Sequence, residues 1–426
     1  MTRKPAKKKG VEAFAPPPPS DKVLEEYGSI GLYGLNALIV GSAIFETEQK
    51  LRTDEIRKVI IPLYYSNKVS YDLTTLAKFI HELLIFTIVE DIEIEFKPLK
   101  TQLSFENTGP ERSVSNVCLF SGGTDSYAGV LLAREKFDDL KAVFCAHTDQ
   151  SRIIHIVEKL RREILLQKGI ELVKVGVPKM EARGYAQLRG FLYLLAGAVV
   201  AHKTGAERLF VTEVGPTMYQ PRFSPLDSIT MTTHPFVVRT AAKVASLLLN
   251  RELTVITPFE NLTKAEVVAL CPNKKGLKNT HSCISQRFGT HDGTCYGCVI
   301  RRLATTAAGV GDVKYNRNPI SDPNANAGNL YSLLTFCYEV LTSFDEMEEY
   351  ERGMIDSYRK RDLFSRFALD NFTAIHRLLA ENRRVVRPVR DMYQGLARKL
   401  GNGIFENRLA ELAKPTVTPN FNKHAI

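Results

Sequence analysis

Val117-Cys118-Leu119-Phe120 runs directly into Ser121-Gly122-Gly123-Thr124-Asp125-Ser126, and an apolar-periodic helix follows over 126–136. The pattern is a buried strand, a short Gly-rich turn and a helix. Adjacent glycines permit positive φ, so successive N–H groups can converge on an anion at a helix N-terminus that carries about half a positive charge. The turn therefore reads as a phosphate cradle. It lacks the Gly-Lys-Ser/Thr ending of a Walker loop and the spacing of a dinucleotide-binding loop. Ser121, Thr124 and Ser126 can donate to phosphate oxygens, whereas Asp125 would repel them and makes sense as a Mg²⁺ partner or as an orienter of the loop. The plainer alternative is a turn that only caps its helix, with Thr124 or Asp125 at the N-cap.

Outward from this turn, strand and helix alternate: Val114–Phe120 and 126–136, Ala142–Ala146 and 153–168, Leu172–Val177 and 185–203, Leu209–Glu213 and 236–250, Leu253–Ile256 and 263–271. This rhythm predicts an α/β fold, a parallel sheet with helices on both faces, whose ligands bind at the carboxyl ends of the strands near the switch point. Upstream, the pattern predicts an apolar strand over Ile30–Phe45, a β-branched strand at Val59–Ile61, a helix over Leu73–Val89 and an alternating strand at Ile92, Ile94 and Phe96. Downstream, 309–328 is linker-like and 329–412 is helical throughout. The expected organisation is a disordered basic and Pro-rich tail (1–20), an N-terminal α+β domain (21–112), a nucleotide domain (113–310), and a linker with a helical C-terminal region (311–426).

The chain has 426 residues, 44% hydrophobic and 24% charged, which fits two or three soluble domains and excludes wholesale disorder. Net charge is +10, but Arg3, Lys4, Lys7, Lys8 and Lys9 supply half of it, so the folded body is only mildly basic. That balance suits an anionic ligand as well as a nucleic acid and does not choose between them. No run approaches the roughly 20 apolar residues of a membrane helix, and the basic N-terminus leads into Pro16–Pro19 rather than an apolar signal core. A cytoplasmic protein without membrane contact is expected. Seven cysteines, an odd number, fit a reducing compartment, and the cluster Cys283, Cys295 and Cys298 resembles a ligand set more than bridges.

Ser-Gly-Gly-Thr-Asp-Ser after a first strand resembles the PP-loop of the ATP pyrophosphatases, which cleave ATP between the α and β phosphates and adenylate an acceptor. Two later segments narrow the resemblance to the QueC-like 7-cyano-7-deazaguanine (preQ0) synthases. One is Thr257-Pro258 followed by Thr263-Lys264-Ala265-Glu266; a capping box accounts for Thr263 and Glu266, but a lysine at N1 opposes the helix dipole, so Lys264 asks for a phosphate partner. The other is Ser282-Cys283 followed by Cys295-Tyr296-Gly297-Cys298 and Arg301, where the family places four cysteines on a structural zinc. Here Asp292 stands at the remaining cysteine position and His291 is adjacent. Either completes a tetrahedral zinc site, His291 being preferred because imidazole commonly joins thiolates; His281 is a weaker rival.

Carried onto this sequence, the resemblance implies an adenine nucleotide alpha-hydrolase-like domain over about 114–305, using ATP, Mg²⁺ and Zn²⁺. Ser121, Gly122, Gly123, Thr124, Asp125, Ser126, His147 and Lys264 would hold ATP; Asp125, Ser126, Lys264 and Arg301 would be catalytic. Arg189, Glu213, Asp227 and His234 are substrate-side expectations. Arg189 stands at a helix start expected to be buried, and Gly190 departs from the family's Asn. Glu213 and Asp227 could read a purine-like edge or hold Mg²⁺, and His234 is either an anion contact or a surface histidine. Arg383, Arg384, Arg387 and Arg390 read first as a solvated basic face.

The implied reaction is ATP-dependent activation of a 7-carboxy-7-deazaguanine carboxylate for attack by a nitrogen, a C–N ligase reaction. Extra residues on both sides resemble long forms from bacterial antiviral defence operons, the Qat and type IV CBASS groups, which implies ligation to a protein amine and an acceptor or operon partner. Free preQ0 synthesis, a tRNA sulfurtransferase using Cys295 and Cys298, and a nucleotide-binding subunit without turnover remain open at this point.

Overall fold

A computed structural model describes residues 9–11, 13–14, 31–51, 53–65, 71–100, 114–146, 151–176, 187–219, 231–284 and 290–422. In chain order the N-terminal part holds β1 (Lys9–Val11), α1 (Gly31–Lys50), β2 (Asp54–Ile56), β3 (Lys58–Tyr65), α2 (Leu73–Ile88) and β4 (Glu93–Lys100). β1 pairs with β2 and β3 with β4, both in parallel. The segment expected to be a strand over 30–45 is instead the helix α1. Fifteen of its twenty residues are buried, so it is apolar on nearly every side. A helix covered all round has no amphipathic period by which to be read.

The central sheet follows: β5 (Asn116–Leu119), α3 (Thr124–Lys136), β6 (Leu140–Ala146), α4 (Ser151–Leu160, continued by tighter and looser turns to Lys168), β7 (Glu171–Gly176), α5 (Arg189–Thr204), β8 (Arg208–Phe210), α6 (Gly215–Tyr219), α7 (Pro235–Leu249), β9 (Thr254–Ile256) and α8 (Lys264–Leu270). All five strands are parallel, in the order β7-β6-β5-β8-β9. Chain order reverses between β5 and β8, which places the switch point directly beneath the 121–126 turn. The strands alternate their burial: Val117 and Val143 face a core that includes α5 and α7, whereas Cys118, Ala142 and Phe144 face one built with α3 and α4. The fold is therefore α/β, with helices on both faces.

The C-terminal part is helical: α9 (Tyr296–Ala307), α10 (Gly328–Thr342), α11 (Glu349–Ser357), α12 (Arg361–Ala380), α13 (Arg387–Leu400) and α14 (Gly403–Ala413). Apolar residues of α1, of the sheet and of α10 to α14 join one continuous core. The N-terminal part also reaches the helices of the central sheet through a polar contact. The buried Glu48 carboxylate of α1 accepts the Gln187 and Leu188 N–H groups at 2.6 and 2.8 Å, which fixes the two residues leading into α5. No helix among the described residues is long and apolar enough to cross a membrane.

Candidate functional site

The 121–126 turn leaves β5 at its carboxyl end. Gly122 has φ +78°, a conformation open to glycine at little cost, and Gly123 is the N-cap of α3 in extended conformation. Thr124 and Asp125 are thus the first two helical residues, not the cap, and no side chain caps the helix. The serines shape the loop: Ser126 Oγ accepts the Ser121 N–H (3.2 Å), donates to Gly123 O (3.1 Å) and meets Ser121 Oγ at 3.1 Å. What results is a helix N-terminus whose N-cap glycine supplies no capping side chain, a shape that receives phosphate, its one acidic first-turn residue, Asp125, being engaged by Lys264.

A second layer holds the turn from outside. His281 N–H donates to Gly122 O at 2.9 Å, and Thr124 Oγ1 lies 3.1 Å from Ser282 Oγ and 3.4 Å from Thr280 Oγ1. The 277–282 stretch is fixed in turn by Arg301, fully buried in α9. Its Nη1 donates to Thr280 O (2.8 Å), its Nη2 to Leu277 O (2.7 Å) and its Nε to Asp312 (2.8 Å). Arg301, expected as catalytic, has its guanidinium buried and engaged by backbone carbonyls and Asp312, where it holds the segment that braces the loop. Thr280 and Ser282 were missed as contributors; the only signal near them is the Ser282-Cys283 motif, which points to its thiol.

Three ionisable groups converge next to the loop. Lys264, the first residue of α8, sets its Nζ 2.6 Å from Asp125 Oδ2, with both side chains largely buried. The dipole mismatch at N1 is thus met within the protein by a carboxylate. Asp125 Oδ1 is buried without an N–H or hydroxyl donor. Glu213, just beyond β8, lies within hydrogen-bonding reach of Asp125. Burial, and then the Asp125 charge, push its carboxyl up to about 8, with Lys264 acting in the opposite direction. Near neutrality Glu213 holds a proton, and Asp125 pairs with Lys264.

Downstream of the loop's brace, the Sγ atoms of Cys283, Cys295 and Cys298 and a carboxylate oxygen of Asp292 all lie within 4.8 Å of one another. Cys295 is the N-cap of α9 and Cys298 sits in its first turn. Hydrogen bonding from Cys298 holds the Cys295 thiol down to about 6 and pushes that of Cys298 up. Three thiols and one carboxylate form a donor set that suits tetrahedral zinc. The preferred fourth ligand, His291, is not in this group: its Nε2 accepts the Ser282 N–H at 3.3 Å and lies 3.5 Å from Arg301 Nη1, and its ring packs on His281 and Tyr315. Asp292 takes that place. One of its oxygens also accepts the Thr294 and Cys295 N–H groups, which ties the turn that presents the thiols.

The remaining expected residues disperse. His147 and Asp227 lie outside the described residues. Arg189 opens α5 but is exposed, so it is not the buried, partner-seeking arginine expected. At Gly190 an added Cβ would lie 1.8 Å from Thr232 O, which explains why no larger side chain stands there. His234 is not a surface residue. It is buried among Phe86, Tyr219 and Tyr358, its Nδ1 accepts the Phe236 N–H as N-cap of α7, and burial lowers its pKa to about 4. The other four cysteines are buried with thiols pushed up by desolvation, as inert packing residues are.

Fold and site together define an α/β nucleotide-domain architecture with a phosphate-type loop at the switch point and a helical C-terminal part. The particular likeness comes from a family model: residues 147–309 match QueC, described as queuosine biosynthesis protein QueC. The matched segment is QueC-like and includes β7 to β9, Lys264 and all four grouped donors. The 121–126 turn precedes it.

Proposed function

We propose that this chain is an ATP pyrophosphatase that activates the carboxylate of a 7-carboxy-7-deazaguanine and passes it to a nitrogen nucleophile. The observation that carries the reading is the convergence of an uncapped Gly-rich turn, Lys264, Asp125 and Glu213 at the switch point, beside a segment that matches QueC. The loop amides and Ser121, Thr124 and Ser126 would receive the β and γ phosphates, with Lys264 turning from Asp125 toward them. A substrate carboxylate oxygen attacks the α phosphorus, the bond to the bridging oxygen breaks, and pyrophosphate leaves into the cradle that stabilises its charge. The nitrogen then attacks the acyl carbon and AMP leaves with the former carboxylate oxygen.

Asp125 and Glu213, two carboxyls within hydrogen-bonding reach of each other, fit a divalent cation that would take the place of the proton on Glu213. When bound, Mg²⁺ supplies charge neutralisation on the phosphates. Cys283, Asp292, Cys295 and Cys298 would hold zinc in a structural role, since the knuckle braces the loop through Thr280–Ser282. This arrangement disfavours the sulfurtransferase reading, which needs Cys295 and Cys298 accessible; both are buried.

For the acceptor we favour a protein amine, because substantial structure flanks the matched segment on both sides and could dock one. Incubation with Mg·ATP and 7-carboxy-7-deazaguanine, with and without ammonia, tests the reading by product mass. Pyrophosphate and AMP release with an adenylate or amide product supports it. Free nitrile without any partner protein removes the protein acceptor, and no ATP turnover with any deazaguanine acid removes the activity.

A further inference from the structure

The C-terminal helices reach the proposed nucleotide site by way of a buried ionic cluster. Lys264 is the first residue of a helix only seven residues long, too short to hold its own geometry. Its shape is set by the capping box, in which Thr263 Oγ1 accepts the Glu266 N–H at 3.2 Å and Glu266 accepts the Thr263 N–H at 2.9 Å. Glu266 is 1% exposed, so its carboxylate needs more than one backbone donor. Two arginines from elsewhere supply it: Arg366 of α12 at 2.5 and 2.6 Å and Arg408 of α14 at 2.6 Å. Arg408 also binds Asp370 at 2.7 Å, and Asp370 in turn accepts the Thr263 hydroxyl. Both halves of the capping box are therefore gripped from the C-terminal helices.

We propose that Arg408 is a positioning residue for Lys264: by locking Glu266 and, through Asp370, Thr263, it holds the first turn of α8 so that the lysine Nζ stays at the phosphate loop. The inference rests on the reading of the loop as an ATP site. It assigns the helical C-terminal part a role in nucleotide handling that neither the loop nor the capping box reveals alone.

The test uses the full chain and two readouts. Backbone hydrogen exchange over 263–266 should be at least tenfold faster in Arg408→Met, with the amides of β5 and β6 unchanged and the Arg408→Lys variant intermediate. Equilibrium binding of Mg·ATP should weaken about tenfold in Arg408→Met and as much or more in Lys264→Ala. The double variant should bind no more weakly than Lys264→Ala alone, because the arginine acts through the lysine. Unchanged exchange over 263–266, or a further tenfold loss in the Lys264→Ala background, overturns the proposal. Should Arg408→Met fail to fold, Asp370→Asn carries the same expectations. A wild-type chain that binds no Mg·ATP overturns the nucleotide reading itself and this role with it, a result distinct from intact binding that ignores Arg408.

Discussion

The ammonium of Lys264 and the carboxylate of Asp125 meet at 2.6 Å across 139 residues of chain, joining the first helix of the sheet to the last. A largely buried pair loses most when one member is removed, because the other charge is left uncompensated. Asp125→Ala and Lys264→Ala are each expected to lower ATP-dependent pyrophosphate release at least 100-fold. Radiolabelled or enzyme-coupled pyrophosphate detection checks this, and near-normal release in either variant removes the pair from the chemistry.

Glu213 gives a stability signature with a defined sign. Its folded pKa is raised from 4.5 to about 8, so the native state prefers the protonated acid, and folding stability attributable to this residue falls as pH rises from about 4.5 through 8. Glu213→Gln keeps a neutral side chain throughout. The variant is expected to melt above the wild type at pH 8.5–9 and to match it near pH 4.5, while losing turnover. Thermal melts across that range decide it; a variant less stable than wild type at pH 9 contradicts the assignment.

Zinc should report on the knuckle. Purified wild-type chain is expected to carry one zinc per chain, Cys298→Ser to lose it, and His291→Ala to keep it. Loss of the metal removes the brace on the phosphate turn, and a loss of about 2–3 kcal/mol lowers Tm by roughly 4–12 °C in a domain of this size. Elemental analysis with parallel melts tests both statements. Retention in Cys298→Ser, or loss in His291→Ala, would refute the Cys₃Asp donor set.

His234 supplies an acid-side effect. Its pKa is lowered to about 4 by burial, so neutral His234 is favoured in the fold; the contribution is complete above about pH 6.5 and is lost as pH falls toward 4. The shift corresponds to about 3 kcal/mol at most. His234→Asn retains a capping oxygen for Phe236 N–H without the titration. Urea midpoints at pH 7.5 and 5 should therefore drop less in the variant, and equal drops would exclude His234 as the group responsible.

Much of this architecture is written locally. The β/α alternation and the 121–126 turn depend on neighbouring residues, and each central strand lies within a few residues of its expected place. The helix α1 was illegible because burial on every side erased its period. At the metal cluster the composition identified three thiols, but whether His291 or Asp292 faces them depends on the backbone of one turn. Arg301, Arg366, Asp370 and Arg408 were beyond reach for another reason. Each has a deciding partner far along the chain, up to 142 residues away, and no local pattern distinguishes a buried arginine from a solvated one.

The ion pair between Arg408 and Glu266 also orders events during biosynthesis. At about 5–20 residues per second, the 142 residues between them take roughly 7–30 s to emerge. For the first 100 of those residues the nascent sheet presents a lysine-bearing turn whose acidic anchor has no arginine to meet; Arg366 then arrives, and the Arg408 bridge to Asp370 closes last. The proposed seat for nucleotide thus matures only after α14 has followed the sheet out of the ribosome.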